Sequence, residues 1–226
     1  MFGPAGSTEF DVRFELFGIP VRIHPLFWLT SAMIVWDGDS PPFVFLGVFC
    51  VFLSVLVHEL GHAVVSRRYG FPSEIVLYMF GGYATGGGRL STWQRIAVSG
   101  AGPLAGILLF AVALFISHLI GRTQPELFRR YEALYYCLYW LVRANLFWSL
   151  LNLVPCLPLD GGHIMQALVY RFLPIGAPRR VLQVSIAVSG GVVLLLLLYA
   201  PWLQTLMIMF GILCAQSVMA YRQFHY

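Results

Sequence analysis

Lysine is absent from this chain, and only 11% of its 226 residues are charged, against about 25% in an ordinary soluble domain. A deficit of that size excludes a water-facing surface over most of the chain. No CxxC pair occurs among Cys50, Cys137, Cys156 and Cys214, which all lie in or beside apolar runs. They read as small buried side chains rather than as disulfide partners or metal ligands. The opening residues lack a basic start, an apolar core and a small-residue cleavage site, so no removable signal peptide is expected. The arginines do not cluster with aromatics on a polar domain, which argues against nucleic-acid binding.

What remains is apolar: 59% of the residues are hydrophobic. Spans of about 20 residues fit such a chain roughly five or six times. The expected fold is an all-α polytopic membrane protein with about six transmembrane helices, forming one domain over residues 1–226. The first apolar run, 23–36, is short, with His24 and Pro25 at its entrance, and the DGDSPP turn (37–42) follows it. The second, 43–65, is long and stops at Ser66-Arg67-Arg68. Further spans are expected at 96–119, 133–154, 181–200 and 202–221, the last two forming a C-terminal pair joined at Pro201. Residues 121–132 read as a polar connector and 155–178 as a broken, mixed segment.

Between the second and third spans the pattern changes. Glu74 to Phe80 favours extended structure, and Gly81, Gly82, Gly86, Gly87 and Gly88 follow. This predicts a short β-hairpin or re-entrant loop, with a flexible surface loop as the alternative. Arginine asymmetry supplies an orientation. If the second span runs towards the cytoplasm, ten arginines fall on that side, and Arg122, Arg129 and Arg130 fall outside. Arg143 then lies within the fourth span.

Two short motifs carry chemistry. His58-Glu-Leu-Gly-His62 places two imidazoles four residues apart, on one face of a helix, where both can bind a single metal ion. Two neutral nitrogen ligands suit Zn²⁺, and Glu59 is placed to act as base. Ionisable groups deep in an apolar span are costly and usually mark function; the bland reading is a polar cluster that pairs helices. A two-histidine zinc site needs one more protein ligand and an open position. Leu157-Pro-Leu-Asp160-Gly-Gly-His163 offers Asp160, held on backbone that Pro158 and the paired glycines keep irregular. His163 is the rival ligand, and Asp160 could instead cap a helix starting at Gly161. The second and fourth spans run in the same direction, which brings both motifs to one membrane depth. His24, His118 and His225 are poorer ligand candidates.

These residues resemble the site-2 protease family of intramembrane metalloproteases (peptidase family M50), over residues 12 to 172. The resemblance rests on HELGH at 58–62, Tyr69-Gly-Phe-Pro, Met79-Phe-Gly-Gly, Ala101-Gly-Pro103 and Asn152-Leu-Val-Pro-Cys-Leu-Pro-Leu-Asp-Gly-Gly162. The opening Phe17-Gly-Ile-Pro-Val-Arg-Ile-His-Pro is also similar to the family's start. It implies one Zn²⁺ ion held by His58, His62 and Asp160, with Glu59 as catalytic base and a catalytic core over roughly 43–172. Asn152 corresponds to the family's asparagine near the scissile carbonyl; an interhelical hydrogen bond is its bland reading. Two departures stand out. Gly106 occupies a position where relatives often carry asparagine, and the sequence contains neither the peptide-binding (PDZ) nor the nucleotide-sensing (CBS) domain of many relatives.

The implied activity is hydrolysis of a peptide bond in or near the transmembrane segment of a membrane-tethered protein, in the membrane of a prokaryotic cell. Water is expected to reach the site through a polar channel from the cytoplasm, and the 71–88 segment is expected to present a strand edge to an unwound substrate. Six histidines are too few for a di-iron histidine-box oxidase. The alternative function is a zinc-binding membrane protein without proteolysis, either a metal transporter or an inactive scaffold.

Overall fold

The structure is a computed structural model that describes residues 6–36, 40–79, 81–85 and 90–223. Gly86, Gly87, Gly88, His225 and the first half of the DGDSPP turn (37–39) lie outside the described residues. The chain divides into two compact units: Phe2–Arg89 with Ala101–Leu150, and Leu90–Gly100 with Leu151–Tyr226.

The first unit opens with strands the sequence reading did not anticipate. β1 (Val12–Leu16) and β2 (Ile19–Ile23) form an antiparallel hairpin whose two-residue loop is Phe17-Gly18. Helices α1 (Pro25–Val35) and α2 (Pro41–Arg68) then lead to β3 (Glu74–Tyr78), which pairs parallel with β2. β4 (Gly81–Thr85) pairs antiparallel with β3, giving a four-stranded sheet in the order β1-β2-β3-β4. Alternation explains β2: Ile19, Val21 and Ile23 are buried, whereas Pro20 and Arg22 face outward. With Ile75 and Leu77 of β3 they pack on Phe27 and Val35 of α1 and Val51 and Val55 of α2.

The run expected as one segment at 23–36 is therefore split. Pro25 has no N–H to give a strand ladder, yet its fixed φ suits the first helical position. His24 ends the strand, donating its N–H to Leu77 O, and caps α1 by accepting from Leu26 N at Nδ1. Thr30 Oγ1 then donates to Met79 O, fastening α1 to the end of β3.

Also in this unit are most of α3 (Thr92–Thr123), the short α4 (Glu126–Arg130), and α5 (Glu132–Asn152) up to Leu150. Gly47 lets α2 approach Val35 and Trp140, because a Cβ there would meet the Val35 side chain. Gly61 likewise lies against the Ala101 carbonyl of α3. Small residues at such crossings let helices pack where burial from water cannot drive them together.

The second unit contains α6 (Asp160–Phe172), α7 (Ala177–Tyr199) and α8 (Gln204–Arg222). α7 and α8 lie antiparallel, with Arg179 near the start of α7 donating to the Tyr221 hydroxyl near the end of α8. The segment between α5 and α6 folds back on the helix it precedes. A Cβ on Gly161 would strike the Leu153 carbonyl, and one on Gly162 the Cys156 carbonyl. The broken segment expected over 155–178 thus contains a regular helix from Asp160 onward.

The fold is mostly helical with a small sheet, not all-α. Among the described residues four helices are long and apolar enough to cross a bilayer: α2, α3, α7 and α8. At 1.5 Å per residue, α2 extends about 42 Å, more than a hydrocarbon core of about 30 Å. α1 is apolar but only 11 residues long. α5 has the length but carries Arg143, Asn145 and several tyrosines, and is not among the four.

Candidate metal centre

His58, Glu59 and His62 lie in the second half of α2, and all three are buried. Helical spacing puts the two histidines one turn apart. Their Nε2 atoms are 3.2 Å from each other, and the ring planes meet at 80°. Two nitrogens that each lie about 2.0–2.1 Å from one tetrahedral ion are themselves about 3.3 Å apart. The pair is thus spaced as one ion requires.

α3 fixes this geometry from one side. A Cβ on Gly102 would overlap the imidazole of His62, so only glycine lets the ring lie flat against the helix. α5 fixes it from the other side. Asn145 Nδ2 donates to Ser54 Oγ at 2.8 Å, and Ser54 Oγ donates to Cys50 O. Ser54 precedes His58 by one turn, and Asn145 is 1% exposed. Sequence reasoning missed Asn145. The available signal was a lone asparagine within an apolar helix, seven residues before Asn152 and so near the same face.

Ser149, one turn beyond Asn145, faces Gly106: a Cβ there would meet its hydroxyl. The departure noted at Gly106 therefore leaves room for Ser149.

In the other unit, Asp160 is the first residue of α6, with Leu159 as its N-cap. A carboxylate in the first turn is favoured by the helix dipole. The helix starts one residue earlier than the capping alternative assumed, so Asp160 is not its cap. Asn152 is the last residue of α5 and is half-buried; His163 lies in the first turn of α6, also half-buried. His24 is occupied as a helix cap, and His118 is exposed on α3. His58 and His62 offer two nitrogen ligands for a metal ion within the first unit, and Asp160 offers a carboxylate within the second.

Comparison with known proteins bears on this set. The sequence model described as peptidase family M50 matches residues 46–128 and 117–198, a range that includes both motifs. A zinc metalloprotease of Methanocaldococcus jannaschii is 30% identical over 165 residues, covering 71% of this chain and 46% of that protein. Stage IV sporulation protein FB of Bacillus subtilis is 28% identical over 214 residues, covering 92% of this chain and 68% of the relative. The chain spans less than half the length of the first curated relatives it matches. In structure it resembles a site-2 protease from Methanocaldococcus jannaschii with a TM-score of 0.57 at 24% identity, covering 94% of this chain and 92% of that one. That likeness is one of fold.

Proposed function

This chain belongs to peptidase family M50, and on that premise we propose that it is a zinc-dependent intramembrane endopeptidase. One observation carries the reading: two buried imidazoles on an apolar, span-length helix hold their Nε2 atoms 3.2 Å apart, beside a buried glutamate. The donor set of two imidazoles and a carboxylate is that of a catalytic zinc site with an open position.

We assign His58, His62 and Asp160 as the ligands and Glu59 as the general base. The ion, when bound, supplies Lewis-acid chemistry, polarising a carbonyl and making water acidic enough to lose a proton near neutral pH. Glu59 accepts that proton and later gives it to the departing amine. The Asn152 amide donates to the scissile carbonyl oxygen as negative charge develops there.

The substrate is a membrane-spanning protein or peptide whose helix unwinds locally, since a helix hides its amide bonds. β1 and β4 are the two edge strands of the sheet, and we assign β4 as the template to which the unwound segment pairs. A proline at Tyr83 would test this by lowering cleavage while leaving metal content unchanged.

The arginine distribution supports an orientation in which α2 runs towards the cytoplasm and the site lies nearer the cytoplasmic face of a prokaryotic membrane; α1, 11 residues long, extends about 17 Å and falls short of a full passage. Glu59→Gln tests the function. It should abolish cleavage of a reconstituted membrane substrate and leave bound zinc unchanged. Cleavage at the native rate would overturn the base assignment. Metal transport that survives the substitution, without proteolysis in the native protein, would favour the non-proteolytic reading.

A further inference from the structure

The loop of the β1–β2 hairpin breaks a local rule. Both of its residues have positive φ, Phe17 at 53° and Gly18 at 74°. Such two-residue loops favour Asn-Gly, because a bulky residue in the left-handed region is strained by its Cβ against the following carbonyl oxygen. Phe17 is also 81% exposed, so in water the site would carry both strain and a solvated aromatic ring. Strain of this kind persists where the surroundings hold it and often marks function.

The surroundings do hold it. Arg67, near the end of α2, donates from Nη1 to the Phe17 carbonyl at 3.0 Å. Gly18 allows the approach, since a Cβ there would lie 3.2 Å from the same nitrogen. Phe17, Ile19, Val64, Arg67 and Arg68 line a cavity of about 310 Å³. Ile19 is buried, whereas Phe17, Val64 and both arginines are exposed.

α2 is long and apolar enough to cross a bilayer, and Arg67 and Arg68 are its last two residues. The groove therefore sits at the depth of the lipid headgroups. We propose that it binds the phosphate headgroup of an anionic phospholipid, with the Phe17 ring inserted beside the upper acyl chains. Guanidinium pairs bind phosphate through charge-assisted hydrogen bonds, and aromatic rings favour the interface. Basic pockets at membrane-helix ends recognise such headgroups. The inference rests on α2 spanning the membrane and needs no catalytic activity.

The test is native mass spectrometry of the zinc-loaded full chain after equilibration with mixed phosphatidylglycerol and phosphatidylcholine micelles. The native protein should retain phosphatidylglycerol selectively. Arg67→Gln with Arg68→Gln should lower that selectivity at least about tenfold, two headgroup-level charges being lost; Arg68→Gln alone should lower it less. Phe17→Asn is the discriminating variant. Asparagine tolerates positive φ, so thermal stability should hold or rise while lipid retention falls. Equal retention of both lipids by the native protein would overturn the proposal. So would unchanged selectivity in the double variant, or full retention by Phe17→Asn.

Discussion

His58 and His62 present their Nε2 atoms to each other at 3.2 Å, on the face of α2 that meets Gly102 of α3. The ring of His62 occupies the space a side chain at 102 would need. Gly102→Ala should therefore weaken zinc affinity by at least about tenfold, because displacing one imidazole forfeits a metal–nitrogen bond. Gly100→Ala is the control. A Cβ there meets nothing within 4 Å, and alanine should stabilise the helix by up to about 1 kcal/mol. Zinc titration and thermal unfolding of the two variants separate the outcomes.

Asn145 and Ser54 fasten α5 to the turn before His58 through a buried 2.8 Å hydrogen bond. Removing one partner forfeits this bond, at about 0.5–1.5 kcal/mol, while Ser54 Oγ keeps Cys50 O and Asn145 Nδ2 keeps Leu141 O. Asn145→Ala and Ser54→Ala should each destabilise by that order. The double variant should lose less than their sum, since the pair acts as one unit. A double-mutant cycle of thermal unfolding measures the coupling; additive losses would show that the contact carries no specific energy.

Asp160 and His163 compete as the third ligand, three residues apart on α6. Asp160→Ala should reduce bound zinc below one ion per chain and abolish cleavage, whereas His163→Ala should keep the ion. Metal analysis of the purified variants decides between them.

The meeting of His58 and His62 was legible in the sequence, because one face of α2 needs only helical periodicity. The LPLDGG segment was legible only in part: Pro158 announces the break after α5, but Gly161 and Gly162, expected to keep the backbone irregular, lie inside α6. The hairpin of β1 and β2 was not. Arg13, Glu15 and Arg22 interrupt it, and its β2 residues merge with the apolar run that follows. Ile23 could not be assigned to a strand until Leu77 was seen paired with it. Asn145 escaped notice because one polar residue has no period; its role depends on Ser54, 91 positions away in the chain.

Outside the membrane-spanning helices, Asp11 gives a pH signature. The Thr8 hydroxyl donates to its carboxylate at 2.7 Å and Arg22 lies 3.0 Å away. The Thr8 hydrogen bond, aided by Arg22, holds the carboxyl well below the usual carboxylate range. A depressed folded-state pKa stabilises above the unfolded value, near about 3.9, and that contribution is lost as pH falls towards the folded value. The stability difference between the native chain and Asp11→Asn should hold constant from about pH 7 to about pH 5 and shrink below about pH 4. Thermal unfolding across that range reads it directly.

The most direct test of the metalloprotease account is a crystal structure of the Glu59→Gln variant with zinc, with anomalous data collected at the zinc edge. The account predicts one peak bonded to His58 Nε2, His62 Nε2 and an Asp160 carboxylate oxygen, each at about 2.0–2.2 Å. A peak elsewhere, or one bonded to the two histidines with the Asp160 oxygens beyond bonding range, would contradict it.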